Sequence, residues 1–257
     1  MDLQLSGKVA LITGASRGIG RAIAQTLAAE GMRLALVARS TDQLEALATA
    51  LPTDCLAFPA DLREMDAPTK AVAATIKRFG QLDLLVNNAG ATKRGDFLTL
   101  PEADWSDGFA LKFFGAMRCC RAAWPHLQAS HGSIVTIVGI GGRTGSAEFA
   151  IGGTVNAALL NLTKVLADRG ISDGVRVNAI NPGSIATERL QTRLRAVAVE
   201  QGVDEEEAAR TMTQALRINR FGEPDEIARA VAFLASPQAS YCQGAILDID
   251  GGQTRTL

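Results

Sequence analysis

The sequence predicts an α/β fold, a doubly wound sheet of parallel strands. Short apolar runs rich in β-branched residues alternate along the chain with longer amphipathic stretches, and the runs lack the polar alternation of half-exposed strands. Strands covered by helices on both faces have this pattern, and repeated strand–helix units give parallel strands. The predicted strands are 9–13, 34–38, 56–59, 84–86, 133–138, 175–180 and 245–249.

The connecting stretches carry helix signals. Helices are predicted over 21–30, from Thr41 onward, over 102–128 and over 150–169. Gly31 is a predicted C-cap of the first helix, because glycine adopts the left-handed conformation that ends many helices. Pro125 is expected to kink or end the helix over 102–128, because it lacks a backbone N–H.

One domain over residues 1–257 is predicted, because no linker interrupts the alternation and 47% of the residues are hydrophobic. The segment 184–222 is the least regular and includes an acidic helix at 204–208. It follows the carboxyl end of a strand, where open α/β sheets bind ligands. We therefore predict a substrate lid there.

Composition excludes several classes of function. The formal net charge is -1, so no basic surplus points to nucleic acid or to a membrane surface. The N-terminus has no basic cluster followed by a long apolar run, which predicts a cytoplasmic protein. Four cysteines without CxxC spacing and two histidines form no recognised metal-binding pattern, so we expect reduced, structural thiols and no metal.

A glycine-rich loop joins the first strand to the first helix. Residues 13–20 read Thr-Gly-Ala-Ser-Arg-Gly-Ile-Gly. Glycines let backbone N–H groups approach a pyrophosphate at a helix N-terminus, although any tight turn can use glycine. The candidate binding residues are Gly14, Ser16, Arg17, Gly18, Ile19 and Gly20.

The end of the second strand distinguishes NAD from NADP. An acidic residue there binds the ribose 2′-OH and repels a 2′-phosphate, whereas this chain has Arg39-Ser40. Two guanidiniums, from Arg17 and Arg39, can converge on one phosphate. This predicts NADP(H), with solvated surface arginines as the alternative.

Further motifs identify a family. They are Asp61-Leu62, Asn-Asn-Ala-Gly at 87–90, Asn-Pro-Gly at 181–183 with Thr187, Arg-Phe-Gly-Glu-Pro at 220–224 and Gly251-Gly252. With the glycine loop, they resemble the short-chain dehydrogenases/reductases, in the β-ketoacyl-carrier-protein reductase branch, over nearly the whole chain.

The resemblance implies a single-domain Rossmann fold with a seven-stranded parallel sheet, NADP(H) and a small-molecule substrate. It also implies a homotetramer or a dimer, with 102–128, 150–169 and the last strand at the interfaces. The cofactor contacts that it implies, beyond the glycine loop with Arg39 and Ser40, are Asp61, Leu62, Asn88, Ala89, Gly90, Pro182, Gly183, Ile185 and Thr187.

The same resemblance implies a catalytic asparagine, serine, tyrosine and lysine, and all four are replaced here. Counting from Lys164 and Trp105, the lysine position holds Asn156, the tyrosine position Gly152 and the asparagine position Lys112. The serine position, after the fifth strand, holds Gly139. The only tyrosine, Tyr241, precedes the last strand, so proton transfer through a tyrosine phenol is excluded.

Three interpretations remain at this point. The leading one is an atypical NADP(H)-dependent oxidoreductase, in which Lys112 reaches the place of the family's lysine and holds the ribose or donates a proton. Glu148, one helical turn before Gly152, is a second candidate acid. Each residue also has a non-catalytic alternative. Lys112 is then a surface lysine whose stem packs on apolar surface while its charge stays in solvent. Glu148 is then an acidic residue that is favourable near a helix N-terminus.

The second interpretation is an oxidoreductase of an activated acceptor such as an iminium, with the glycines at 139 and 152 leaving space for a bulky substrate. The third is an NADP(H)-binding pseudoenzyme, or a non-redox lyase or hydrolase that uses the same pocket. The intact cofactor motifs favour the first two interpretations, whereas the loss of four catalytic residues favours the third.

Overall fold

Seven parallel strands form the centre of the computed structural model, which describes residues 2–255. They are β1 (Val9–Thr13), β2 (Arg33–Ala38), β3 (Cys55–Pro59), β4 (Leu84–Asn87), β5 (Ser133–Ile137), β6 (Arg176–Pro182) and β7 (Ile246–Ile249). Their order in the sheet is β3-β2-β1-β4-β5-β6-β7. The predicted doubly wound, seven-stranded parallel sheet is confirmed, and each predicted strand differs from the observed one by at most two residues at either end.

Nine α-helices flank the sheet within residues 2–255. They are α1 (Gly18–Ala29), α2 (Thr41–Ala50), α3 (Ala67–Phe79), α4 (Glu102–Gly108), α5 (Gly115–Ser130), α6 (Ala150–Asp173), α7 (Glu188–Gln201), α8 (Glu205–Leu216) and α9 (Pro224–Ala235). Gly31 has φ 78° and donates its N–H to the carbonyl of Ala28, as expected of a residue that ends α1.

The helix predicted over 102–128 is divided. A π-helical segment, Phe109–Phe114, lies between α4 and α5 and carries Lys112. Such segments are common at functional sites. Pro125 does not end the helix, which continues to Ser130 because its inner face, with Cys119, Ala123 and Leu127, stays packed in the core.

Both faces of the sheet are buried, which explains the unbroken apolar strands. On one face α1 and α9 pack together through Ile23, Leu27 and Val231. On the other face α3 and α5 cover the strands through Val72 and Cys119. The four cysteines are free, and burial raises the pKa of the Cys120 thiol to about 12, as expected of structural thiols.

Two other regions bear on the predictions. The segment 184–222 contains α7 and α8, which bury Leu190, Leu194 and Met212 in a small apolar cluster of their own; its role as a lid stays a prediction. Within residues 2–255, α6 alone has the length and mean hydropathy, 1.2, of a candidate membrane span. It packs against the sheet through Ile151 and Val155, as the core helix of an α/β domain does.

Candidate active site

The glycine loop turns sharply between Thr13, the last residue of β1, and Gly18, the first of α1. Gly14 and Gly18 have φ of 67° and 53°, in the left-handed region that favours glycine. A Cβ on Gly20 would lie 2.1 Å from the Gly14 carbonyl oxygen, so the close approach also requires glycine there. No side chain caps the start of α1, and its first-turn N–H groups are therefore available to an anion.

Hydrogen bonds join the segment after β4 to this loop. The Thr13 Oγ1 accepts hydrogen bonds from the backbone N–H groups of Asn88, at 2.9 Å, and Ala89, at 3.0 Å. The Asn88 side-chain amide donates to the carbonyls of Thr13 and Gly14. The hydrogens of that amide therefore hold the loop in shape, and Asn88 contributes to a binding site by positioning the loop.

The predicted cofactor residues surround this cradle on two further sides. A Cβ on Gly18 would lie 3.3 Å from the Thr187 Cγ2, so the segment after β6 contacts the glycine loop. Ile185 pairs with Gly222 in an isolated bridge that fixes that segment. Pro182 is the last residue of β6, and Gly183 donates its N–H to the carbonyl of Ile249.

The predicted cofactor residues Arg17, Arg39, Ser40, Asp61 and Leu62 differ in whether other residues of the chain already contact them. Arg17 and Arg39 are exposed and form no ion pair within residues 2–255, and Ser40 is the N-cap residue of α2. The Asp61 carboxylate accepts from Arg63, and the Leu62 side chain is buried, so only the Leu62 backbone is available to a ligand. The free guanidiniums, the uncapped helix and the glycine cradle fit a dinucleotide.

Lys112 and Asn156 meet beside this cradle. The Lys112 Nζ donates to the Asn156 Oδ1, at 2.5 Å, and to the Val138 carbonyl, at 2.6 Å. The stem of the lysine runs along Gly90, because a Cβ added to Gly90 would lie 2.9 Å from the Lys112 Cδ. Asn156 is buried. Lys112, predicted at the family's asparagine position, thus contacts Asn156, predicted at its lysine position.

The pKa of the Lys112 amine is lowered toward neutral pH. Burial, and then the charge of Arg189, lower its pKa to about 7. A neutral amine keeps two N–H donors, the number that the bonds to Val138 and Asn156 require. Protonation adds a third donor without disturbing either bond.

Gly139 requires its glycine. Its backbone has φ 118° and ψ 144°, a combination accessible essentially to glycine alone. Its N–H donates to the Asn181 Oδ1, and its carbonyl accepts from the Asn156 Nδ2, both at 3.3 Å. Asn181 in turn donates to the Asp248 carboxylate, at 2.8 Å. Gly139, which is predicted at the family's serine position, is therefore held by backbone geometry.

The space vacated at Gly152 is filled by Phe149. A Cβ on Gly152 would lie 2.0 Å from the Phe149 Cζ, and one on Gly141 would lie 2.7 Å from its Cε1. The Arg94 guanidinium lies 4.3 Å from the centroid of the same ring. The expectation that Gly152 leaves space for a bulky substrate is wrong, because a neighbouring aromatic ring occupies that space.

Glu148 and Tyr241 both lie on the surface. Glu148 is exposed and lies before the first residue of α6, Ala150, so it is wrong that a helical turn places it on the face of Gly152. Its carbonyl instead accepts from the Gly95 N–H, at 3.1 Å, in an irregular loop. Tyr241 is fully exposed before β7.

Sequence reasoning missed Phe149, Arg94 and Arg189. A signal for Phe149 was present: glycines at 141 and 152 vacate space on both sides of one aromatic residue at the start of α6. The arginines gave no local signal, because the contacts of Arg94 with Phe149 and of Arg189 with Gly90 join distant parts of the chain.

Comparison with known proteins places these features in context. The family model described as enoyl-(acyl carrier protein) reductase matches residues 14–254. The 3-oxoacyl-(acyl-carrier-protein) reductase of Staphylococcus epidermidis is 34% identical over 256 residues, which cover 95% of this chain and 98% of the relative.

Two solved structures superpose on almost the whole of this chain. The crystal structure of L-sorbose reductase from Gluconobacter frateurii, complexed with NADPH and L-sorbose, superposes with a TM-score of 0.95 at 33% identity over 100% of both chains. A short-chain dehydrogenase/reductase of Serratia marcescens superposes with a TM-score of 0.85 at 34% identity, over 97% of this chain and 98% of that one. The resemblance inferred from the motifs is confirmed.

Proposed function

The chain belongs to the short-chain dehydrogenase/reductase family, and from this premise we propose that it is an NADP(H)-dependent oxidoreductase with an atypical active site. Lys112 takes the place of the family's lysine and supplies the proton that the absent tyrosine would have supplied. The observation that carries the proposal is the hydrogen bond from the Lys112 Nζ to the Asn156 Oδ1, 2.5 Å long. It brings an amine from the π-helical segment to the residue that stands at the family's lysine position.

Reduction of a carbonyl requires one hydride and one proton, which come from different groups. A nicotinamide cofactor, when bound, supplies or accepts the hydride. Reduction of a carbonyl also needs one proton at the substrate oxygen. The third N–H of the Lys112 ammonium is the donor that neither Val138 nor Asn156 uses. With a pKa of about 7 the group is suited to give or take a proton near neutral pH, or, while charged, to hold the ribose hydroxyls.

The choice of NADP(H) depends on Arg17 and Arg39. Both are exposed and form no ion pair within the described part of the chain, 2–255. A guanidinium forms bidentate, charge-assisted bonds with phosphate. The NADPH bound in the L-sorbose reductase structure supports the same choice.

The second candidate is an NADP(H)-binding protein without turnover, or one with a non-redox reaction in the same pocket. Phe149 favours it, because a phenyl ring offers no proton where the family's phenol would stand. This candidate keeps the cradle of the glycine loop and gives Lys112 only a binding role.

One experiment separates the two candidates. NADPH binding is titrated by fluorescence, and its oxidation is then followed at single turnover with a panel of ketones, aldehydes and imines. Oxidation by any of these substrates supports the oxidoreductase, whereas stoichiometric binding with no oxidation over the whole panel favours the second candidate.

Lys112→Met tests the assigned role in the same assay. It should lower the rate of oxidation by a factor of about 10²–10⁴, the usual contribution of a general acid, while NADPH still binds. Lys164→Met is the matched control, because the Lys164 Nζ also donates to a backbone carbonyl, that of Gly244, outside the site. An unchanged rate in Lys112→Met would exclude the role.

The homotetramer also belongs to this proposal. Large apolar side chains are exposed on the elements predicted at its interfaces, namely Phe114 beside α5, Val165 and Ile171 on α6 and Tyr241 before β7. Light scattering of the purified protein measures the assembly, and a monomeric mass would contradict it.

A further inference from the structure

Three arginines near Phe149 and Lys112 are without carboxylate partners. Arg94, Arg189 and Arg193 form no ion pair within residues 2–255, as is true of thirteen of the twenty arginines in that range. An arginine that folding alone had placed on a surface gains from a nearby carboxylate or is indifferent to it. Arg94 lies over Phe149 and Arg189 contacts Gly90 beside Lys112, so these unpaired charges lie around the candidate site.

Arg94 lies over the Phe149 ring. Its guanidinium lies 4.3 Å from the centroid of the Phe149 ring, and that ring fills the space beside Gly152. The bridge between Gly95 and Phe149 fixes the loop that carries it. A guanidinium stacked on an aromatic face keeps its N–H donors, at the edge of its plane, free for a planar anion.

Arg189 and Arg193 lie on the opposite side, on α7. The Arg189 Nη2 donates to the Gly90 carbonyl at 2.8 Å, and Gly90 contacts the stem of Lys112. Arg193 follows four residues later and therefore lies beside Arg189 on the same helix surface.

This arrangement is unfavourable for folding. A cation in the first turn of a helix opposes the helix dipole, and like charges four residues apart on a helix repel each other. On α7, which begins at Glu188, Arg189 and Arg193 repel each other, and Arg189 alone lies in the first turn. A ligand anion between them and Arg94 would remove the repulsion.

The three charges affect one another. Burial and the charges of Arg193 and Arg189 lower the pKa of Arg94, and Glu148 is the carboxylate that opposes them. Glu148 and Asp96 line the small cavity beside Arg94, and the Asp96 carboxylate already accepts from the Leu98 N–H. Burial, and then the charge of Arg17 in the glycine loop, lower the pKa of Arg189.

We propose that Arg94 and Arg193, with Arg189 beside the cofactor loop, bind a carboxylate or phosphate group of the substrate. The proposal rests on the proposed function, because it takes the pocket beside Lys112 as the substrate site. It assigns the substrate to small anionic carbonyl compounds or the corresponding alcohols. The guanidiniums hold the anionic end, and the carbonyl end extends toward Lys112.

The test is calorimetric titration of the NADPH complex at low ionic strength with four probes: pyruvate, oxalate, acetate and inorganic phosphate. Saturable binding of at least one probe is expected. Arg94→Gln and Arg193→Gln should each weaken it about tenfold, the loss of one charge-assisted hydrogen bond, and leave the NADPH dissociation constant within about twofold of that of the wild type. Arg121→Gln, at an exposed arginine of α5, is the control. Preference for phosphate or for a carboxylate identifies the anionic group.

Three results would overturn the proposal: no saturable binding of any probe, binding that neither substitution weakens, or NADPH binding that weakens as much as probe binding, which would assign the arginines to the cofactor. Repeating the titrations without NADPH separates the two proposals. If NADPH itself does not bind, the proposed function fails, while the probe titrations still test the arginines.

Discussion

Lys112→Met tests the electrostatics of the site through folding stability. The pKa of Lys112 falls from its ordinary value of 10.5 in the unfolded chain to about 7 in the folded one. Below pH 7 the lysine is charged in both states, and burial of the charge costs up to about 5 kcal/mol, at 1.36 kcal/mol per pKa unit. This figure is an upper bound because the residue is only partly buried.

The sign of the pH dependence follows from proton binding. Between pH 7 and 10.5 the unfolded chain holds a proton that the folded chain lacks, so the stability conferred by Lys112 rises with pH. Relative to Lys112→Met, the wild-type protein should gain up to about 2.7 kcal/mol between pH 7 and pH 9. Between pH 5 and pH 6 the difference should stay constant.

Urea unfolding from pH 5 to pH 9 measures this difference. The lost hydrogen bonds to Val138 and Asn156 add a constant offset, because the neutral amine also makes both, so the slope alone carries the result. Lys164→Met, which removes another lysine that donates to a backbone carbonyl, is the control. Parallel curves for Lys112→Met and the wild type above pH 7 would refute a depressed pKa.

Three further predictions concern neighbouring positions. Gly139→Ala should lower the free energy of unfolding by about 1–3 kcal/mol because of its φ of 118°, whereas Gly145→Ala, in open space, should change it by less than about 0.5 kcal/mol; equal effects in thermal melts would contradict the backbone argument. Arg39→Ala should weaken NADPH binding about tenfold or more and leave NADH binding unchanged, as fluorescence titration can measure. In a double-mutant cycle, Gly152→Ala should cost about 1–3 kcal/mol more in the wild type than in the Phe149→Ala background, because its Cβ would lie 2.0 Å from the ring; additive costs would mean that the ring does not fill the space.

Much of the fold could be predicted because its cause is local. Strands buried on both faces must be apolar throughout, as Val9–Thr13 is, and the turn residues around them mark their ends. The glycine loop was predictable for the same reason, since Gly14 and Gly18 adopt conformations that other residues avoid. The positions of Lys112 and Asn156 followed from motif spacing.

The filling of the site could not be predicted, because it depends on contacts between distant residues. A glycine at 152 is equally compatible with open space and with an intruding side chain, and only packing decides between them. The Phe149 ring, the Arg94 guanidinium over it and the π-helical segment under Lys112 are all features of tertiary structure. The helix-facing argument for Glu148 failed because α6 begins at Ala150, after that residue.

In the proposed site, the predicted replacements are coupled through one physical requirement. In the family a lysine lowers the pKa of a phenol from near 10, so a lysine at position 156 has no phenol to act on once position 152 is glycine. An ammonium at 156 would also lie against the Lys112 amine, which donates to Asn156 at 2.5 Å, and two adjacent cations in a partly buried site repel each other strongly. An amide at 156 accepts the hydrogen bond instead, and burial, followed by the charge of Arg189, brings the pKa of Lys112 to about 7. Under the proposed function, the exchange of Lys112 with Asn156 and the loss of the phenol are therefore a single change in how the site obtains a titratable group near neutral pH.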